Sequence, residues 1–269
     1  MKAKKVLFIT QEIIPYVPES PLALAGRTIP QSVQECGHEI RTFMPRWGNI
    51  NERRNQLHEV IRLSGLNIIV DDSDHPLIIK VASIQPARMQ VYFIDNDDYF
   101  FKRQMLTDEN GAEYSDNTER AVFYARGVLE TVKKLRWAPD IIHCHGWISS
   151  LVPYFIKEAY ADEPTFMNAK VVFSAYDEFP QLAPTANFPN AITYRNASPK
   201  AVESKNIDLT KPQALAQMAA AFADGLILST DNEMLRAYAA GQNVPTIECE
   251  GTKASTPGII DFYKQVAGE

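Results

Sequence analysis

The chain lacks the motifs that most directly announce a chemistry. Neither G-x-G-x-x-G nor G-x-x-x-x-G-K-[ST] occurs among its 269 residues, so no glycine-rich loop is ready to cradle a phosphate. No G-x-S-x-G elbow is present, which removes the nucleophile turn of the α/β-hydrolases. Cysteine is scarce: Cys36, Cys144 and Cys249 are unevenly spaced and form neither a disulfide framework nor a metal cluster. A reducing, cytoplasmic setting is expected. No segment approaches the roughly 20 apolar residues that span a bilayer, so no membrane contact is expected. The opening Met-Lys-Ala-Lys-Lys is followed by apolar residues, but Gln11 and Glu12 interrupt that run too early for a signal peptide. No basic stripe stands out, and the net charge is −6. Nucleic acid is therefore not an expected partner. Internal repeats and low-complexity segments are missing as well.

What is present is an ordinary globular composition, 45% hydrophobic and 22% charged, patterned as alternating strands and helices. Residues 5–10 read as a short buried strand, 11–21 as an irregular loop with prolines at 15, 18 and 21, and 22–36 as a helix ended by Gly37-His38. A second strand is expected at 39–44 and an exposed loop at 46–55. Apolar alternation over 57–70, the acidic turn 71–74 and the runs 77–84 and 91–94 predict an antiparallel hairpin insertion at about 57–90. Helices are expected at 118–136, with Asp116 or Asn117 as N-cap, and at 148–159, 211–223, 231–240 and 259–266. Strands are expected at 140–144, 170–174 and 225–229. Residues 175–199 read as a long loop and the stretch from 242 carries little signal. The pattern predicts a single Rossmann-like domain over 1–269, a doubly wound, mostly parallel sheet with helices on both faces.

In such a sheet, ligands sit beyond the carboxyl ends of the strands. His143-Cys144-His145-Gly146-Trp147 is the best-placed polar cluster on that criterion. Its readings are sugar or nucleotide contact, or two histidines satisfied by backbone carbonyls; a metal site lacks a third ligand at a recognisable spacing. Asp95-Asn96-Asp97-Asp98 follows another strand end, where capping of the next turn is the favoured reading. Cys144 reads as a core residue. The three tryptophans and eleven tyrosines offer sugar-stacking surfaces, although most aromatics belong to the core.

Several stretches together resemble bacterial glycogen synthase and plant starch synthase, glycosyltransferase family 5. They are Gln11-Glu12-Ile13-Ile14-Pro15-Tyr16-Val17, Gly37-His38-Glu39-Ile40-Arg41, Met44-Pro45, and Val91-Tyr92-Phe93-Ile94-Asp95-Asn96. Further on come Asp116-Asn117-Thr118-Glu119-Arg120 and Pro139-Asp140-Ile141-Ile142-His143-Cys144-His145, with a weaker match at Ala223-Asp224-Gly225 and Leu228-Ser229. The resemblance covers about residues 4–240 and lies in the N-terminal starch-synthase catalytic domain. It implies the N-terminal half of a GT-B glycosyltransferase, an ADP-glucose donor, an α-1,4-glucan acceptor, retention of configuration, and no metal or other cofactor. Ligand contacts are then expected at Glu12, Tyr16, Asp95, Asp116, His143, His145, Trp147 and Tyr176.

The departures from that pattern are specific. Where the family has Lys-Thr-Gly-Gly-Leu-Ala-Asp, this sequence has Pro18-Glu19-Ser20-Pro21-Leu22-Ala23-Leu24. Pro18 replaces the lysine that faces the nucleotide's phosphates, and Ser20 and Pro21 replace the paired glycines whose N–H groups approach them. Where the family has His-x-His-Asp-Trp-His, an acidic residue has become Gly146 and a sugar-contacting imidazole has become Ile148. The family's His-Asn falls at about Tyr176-Asp177. The second GT-B domain is not expected in this sequence, although residues 259–266 resemble the helix that crosses back onto the first. Two functions stay open: a glycogen-synthase-like glycosyltransferase domain whose catalysis another chain or a dimer partner completes, or a non-catalytic glucan-binding or regulatory subunit. Either leaves a cleft face for a second copy or a partner protein to cover.

Overall fold

The strand Lys5–Thr10 carries apolar side chains on both faces because it lies at the centre of the molecule. The computed structural model describes residues 3–85 and 87–269; Pro86, within the expected 57–90 insertion, and the first two residues lie outside them. The first half of the chain runs β1 (Lys5–Thr10), α1 (Pro21–Glu35), β2 (Glu39–Pro45), β3 (His58–Glu59), β4 (Leu66–Val70), β5 (Ser73–Ile84) and β6 (Met89–Asp95). The second half runs α2 (Asn117–Leu135), β7 (Ile141–His145), α3 (Val152–Glu158), β8 (Lys170–Ala175), α4 (Phe188–Ala191) and α5 (Pro199–Glu203). It continues with α6 (Ala214–Phe222), β9 (Gly225–Leu228), α7 (Glu233–Gly241), β10 (Thr246–Glu248) and α8 (Thr256–Ala267).

Among the described residues the sheet has ten strands, ordered β10-β9-β8-β7-β1-β2-β6-β5-β3, with β4 paired to β5 off that path. From β10 to β6 every pairing is parallel, whereas β5 runs antiparallel to β6, β4 and β3. Parallel strands need crossovers, and the helices supply them, covering both faces and explaining the near-continuous apolar runs. The hairpin of β4 and β5 turns at Asp71–Asp72 and pairs Val70 with Ser73.

Three regions differ from what the sequence pattern predicts. The stretch after β2 is not an exposed loop at its start: Arg46, Trp47 and Ile50 are buried. Trp47 donates its indole N–H to the Gln11 carbonyl at 2.8 Å and packs edge-on against Phe100, so tertiary contacts outweigh local polarity. Residues 175–199 contain α4 and lead into α5; both are too short to show periodicity. The weak stretch after 242 contains β10, a three-residue edge strand, also too short for a pattern to register.

Connectivity sets where a ligand can sit. From β1 the chain builds outward through β2 and β6, then returns to the other side of β1 with β7 and continues outward to β10. The reversal lies between β1 and β7, which is the switch point where α/β sheets bind ligands. The residues just past those two strands are Gln11, Glu12 and Gly146.

Candidate functional site

The site begins with the loop joining β1 to α1. Ser20 caps α1, its hydroxyl accepting from the Ala23 N–H at 2.9 Å, with Pro21 at the first helical position; both choices suit a helix start. The same hydroxyl donates to Glu12 Oε2 at 2.5 Å. Glu12 is 4% exposed, so its carboxylate is held against the N-terminus of a 15-residue helix, where the helix dipole favours negative charge. Gly26 makes this approach possible, since a Cβ there would lie 2.1 Å from the Glu12 carbonyl oxygen.

Gln11 ties the loop to the far side. Its amide nitrogen donates to Glu12 Oε1 at 2.8 Å and to Glu178 Oε2 at 3.1 Å. Glu178 is an exposed residue whose carboxyl end turns inward to meet this amide. Burial of that carboxyl, and then the neighbouring Glu12, raise its pKa. The segment carrying Glu178 is anchored again further on, where the backbone N–H groups of Gln181 and Leu182 donate to the Glu113 carboxylate.

Across the switch point, Gly146 has φ +78°. A Cβ at this position would meet Gln11 Oε1 at 2.7 Å and Leu22 Cδ1 at 2.9 Å. Gln11 and Leu22 thus fill the space where a larger residue would project.

The histidine pair lies beneath this layer and is fully buried. His143 is held by side chains, not by backbone carbonyls: its Nδ1 meets the Tyr263 hydroxyl at 2.6 Å and its Nε2 the Ser174 hydroxyl at 2.7 Å. Among the described residues neither ring nitrogen of His145 has a hydrogen-bond partner; the ring lies 3.9 Å from that of His143, centroid to centroid. Burial pushes the His145 pKa down to about 3. Burial and then His145 hold that of His143 well below its usual range. Both therefore stay neutral, as parts of the core under the site. Trp147 and Ile148 are fully buried too, as is Cys144, whose thiol is pushed up by burial.

The remaining expected contacts fall into separate groups. Tyr16 packs edge-on against Phe93, and burial pushes its hydroxyl up to about 12, against the opposing charge of Arg27. Asp95 is an ion-pair residue: it meets Arg46 at 3.1 Å and Lys80 at 2.8 Å. Capping in this cluster is done by Asn96, whose side-chain oxygen accepts from the Asp98 and Tyr99 N–H groups. Asp116 precedes α2 without a side-chain capping bond, because Arg103 takes both its oxygens at 2.5 and 2.7 Å. Glu12, Asp95 and Asp116 thus have no partner in common. Tyr176, just past the end of β8, is 5% exposed; burial raises its hydroxyl, and the Ser229 hydroxyl beside it acts in the opposite direction. Among the described residues no group of three or more His, Cys, Asp or Glu is placed to hold a metal ion.

Comparison with known proteins gives this architecture a family. The profile of the starch synthase catalytic domain matches residues 5–228. The chain belongs to that family. Similar curated proteins are the glycogen synthases of Pelodictyon phaeoclathratiforme (strain DSM 5477 / BU-1), 39% identical over 178 residues, 66% of this chain and 36% of that one, and of Chlorobaculum tepidum, 34% identical over 205 residues, 76% of this chain and 41% of that one. The chain thus matches little more than a third of the length of such relatives. Among solved structures, the catalytic domain of Starch Synthase IV from Arabidopsis thaliana, bound to ADP and acarbose, superposes with a TM-score of 0.70 at 16% identity. That match covers 98% of this chain and 50% of the other, and it establishes the GT-B-like, mostly parallel α/β fold.

Within this starch-synthase-type domain, the departures seen in the sequence acquire structural roles. Pro18 and Pro21 are exposed, and neither has an N–H to offer an anion. Ser20 is engaged twice, as helix cap and as donor to Glu12. Gly146 is required by Gln11 and Leu22. No site role was expected at Gln11, Glu178, Ser229 or Thr230, although Gln11 and Ser229 stand within the family-like stretches. All four lie just past the carboxyl ends of β1, β8 and β9, and that position was the available signal.

Proposed function

We propose that this domain acts in α-glucan metabolism as a glucan-binding member of the starch synthase family that does not itself hold the nucleotide of ADP-glucose. One observation carries the reading: the helix N-terminus that would receive phosphate is taken by the chain's own Glu12, held by Ser20 and flanked by Glu178. A diphosphate entering there meets two carboxylates and no lysine, and retaining transfer needs stabilisation of the departing nucleotide. The domain is then a pseudoenzyme, and its three free cysteines suit the cytoplasm. Calorimetric titration is expected to give binding heat with maltooligosaccharide and none with ADP-glucose, and glucose incorporation into glycogen is expected to stay at the blank. Micromolar affinity for ADP-glucose would overturn the reading.

A second reading adds a partner. Met234, 38% exposed, lines an opening with Phe179, Pro180 and Pro212 among polar residues that include Asp177 and Gln213, and exposed apolar side chains of this kind suit a second copy or partner protein. Light scattering after size exclusion tests self-association, which a clean monomer at high concentration would exclude.

A further inference from the structure

Away from the switch point, one pair of neighbours in the chain carries a chemistry of its own. Asn110-Gly111 is the single Asn-Gly pair in the 269 residues. An asparagine side chain reacts with the main chain when the next backbone nitrogen reaches its carbonyl carbon. Glycine in the next position, having no side chain, obstructs that approach least. In a folded protein the reaction then depends on exposure and on the freedom of the turn.

The turn that carries this pair leaves it free to react. Asn110 and Gly111 are both exposed. Asn110 is held by its backbone N–H, which donates to Asp108 Oδ1 at 2.8 Å, and its side-chain amide is left to solvent. Gly111 has φ +82°, and an added Cβ there would meet only open space. The attacking nitrogen is restrained by a hydrogen bond to the Asp108 carbonyl at 3.1 Å, in a solvent-facing turn where such bonds open readily. Asp224-Gly225 has a similar connectivity and is closed to it. Gly225 is buried at the start of β9, and Asp224 Oδ2 accepts from Lys157 and from the Val171 N–H.

The same turn is a joint between two segments. Asp108 Oδ1 also accepts from the Ala112 N–H at 2.9 Å, and the Ala112 carbonyl accepts from the Asp108 N–H at 2.8 Å. The next residue, Glu113, holds the Gln181 and Leu182 N–H groups at 3.0 and 3.2 Å. Those two residues belong to the segment whose Glu178 meets Gln11 at the switch point.

We propose that Asn110 is a site of spontaneous covalent modification whose product loosens the hold of Glu113 on residues 181–182. The Gly111 nitrogen gives its proton to solvent base and bonds to Asn110 Cγ. The Cγ–Nδ2 bond breaks, and ammonia leaves with a proton taken from solvent. Water then opens the resulting succinimide at either carbonyl. One opening gives aspartate; the other gives isoaspartate, with the Asn110 Cβ inserted into the main chain. Both products add negative charge beside Asp108 and Glu109, and isoaspartate lengthens the segment that Asp108 and Ala112 close.

The test is incubation of the whole chain at mildly alkaline pH, folded and in urea, followed by peptide mass mapping with fragmentation that separates aspartate from isoaspartate. In the folded chain residue 110 is expected to convert about tenfold or more faster than any other asparagine, with isoaspartate among the products. Asn110→Ser is expected to remove the conversion. A folded chain that does not convert, whether or not urea restores the reaction, overturns the site, as does conversion led by another asparagine. Amide hydrogen exchange at Gln181 and Leu182 is expected to be several-fold faster in the incubated chain than in the fresh one. In Asn110→Ser carried through the same incubation it is expected to stay unchanged. Equal exchange before and after incubation, or an equal rise in Asn110→Ser, overturns the link to the Glu113 anchor.

Discussion

Gly146 and Arg120 show how individual side chains of this chain take their roles from neighbours distant in sequence. Gly146 read as a lost acidic residue, but with φ +78° and with Gln11 and Leu22 inside 3 Å of any added Cβ it is required by this fold. Gly146→Ala and Gly146→Asp are expected to lower unfolding free energy by about 2 kcal/mol or more, from backbone strain and overpacking, read by denaturant unfolding. Arg120 is fully buried and donates to the carbonyls of Tyr99, Gln104 and Met105 and to Asn117 Oδ1. Burial, with repulsion from Arg103, pulls its pKa down to about 9. Replacing it by methionine leaves those acceptors unpaired and is expected to cost about 3 kcal/mol or more. Arg120 belongs to a stretch whose resemblance was legible, but its task of pinning residues 99–105 to α2 was not, because none of its acceptors is identifiable from residue type.

At the scale of elements, the loop between β1 and α1 is the informative case. Its proline spacing, the strand before it and the helix after it were all readable from pattern, since each rests on local backbone preference and apolar periodicity. Ser20 read as a lost glycine; in the structure it caps α1 and secures Glu12. Ser20→Ala is therefore expected to destabilise by about 1 kcal/mol through loss of the cap. The triple change Pro18→Lys, Ser20→Gly, Pro21→Gly is expected not to restore tight ADP-glucose binding, because Glu12, Gln11 and Glu178 stay in place. Micromolar affinity in that variant, measured by calorimetry, would show that the loop alone is responsible.

At the scale of the molecule, the sheet encloses titratable groups far from water. His143 and His145 stay neutral in the folded chain because burial lowers their pKa, to about 3 for His145, whereas an unfolded histidine takes up its proton near the ordinary value of about 6.5. Below that value the unfolded state binds more protons than the folded one, so stability falls with pH; above it the contribution is fully present. Each histidine adds a slope of up to about 1.4 kcal/mol per pH unit on the acid side. Unfolding free energies measured from neutral to mildly acidic pH are expected to show that decline, with a shallower slope in His145→Gln. An acid limb of unchanged slope in that variant would count against it. The histidines' position at a strand end was legible; their partners were not, since Tyr263 reaches His143 from α8, the last helix, which packs on α1 and β8.

The sequence by itself determined the class of fold, the family, the strands and helices with clear period, and the absence of a familiar phosphate loop. All of these follow from local preference, hydrophobic period and motif spacing, which are written along the chain. Only the tertiary structure decided that Glu12 occupies the start of α1, that Gln11 joins it to Glu178 across 167 positions, and that Gly146 is held open for Gln11 and Leu22. It likewise decided that Asp95 and Asp116 are ion-pair residues with partners other than those of Glu12. The physical reason is common to these cases. Each depends on which strand ends the parallel crossovers bring side by side, and a side chain's charge partner, burial and free space are properties of that juxtaposition.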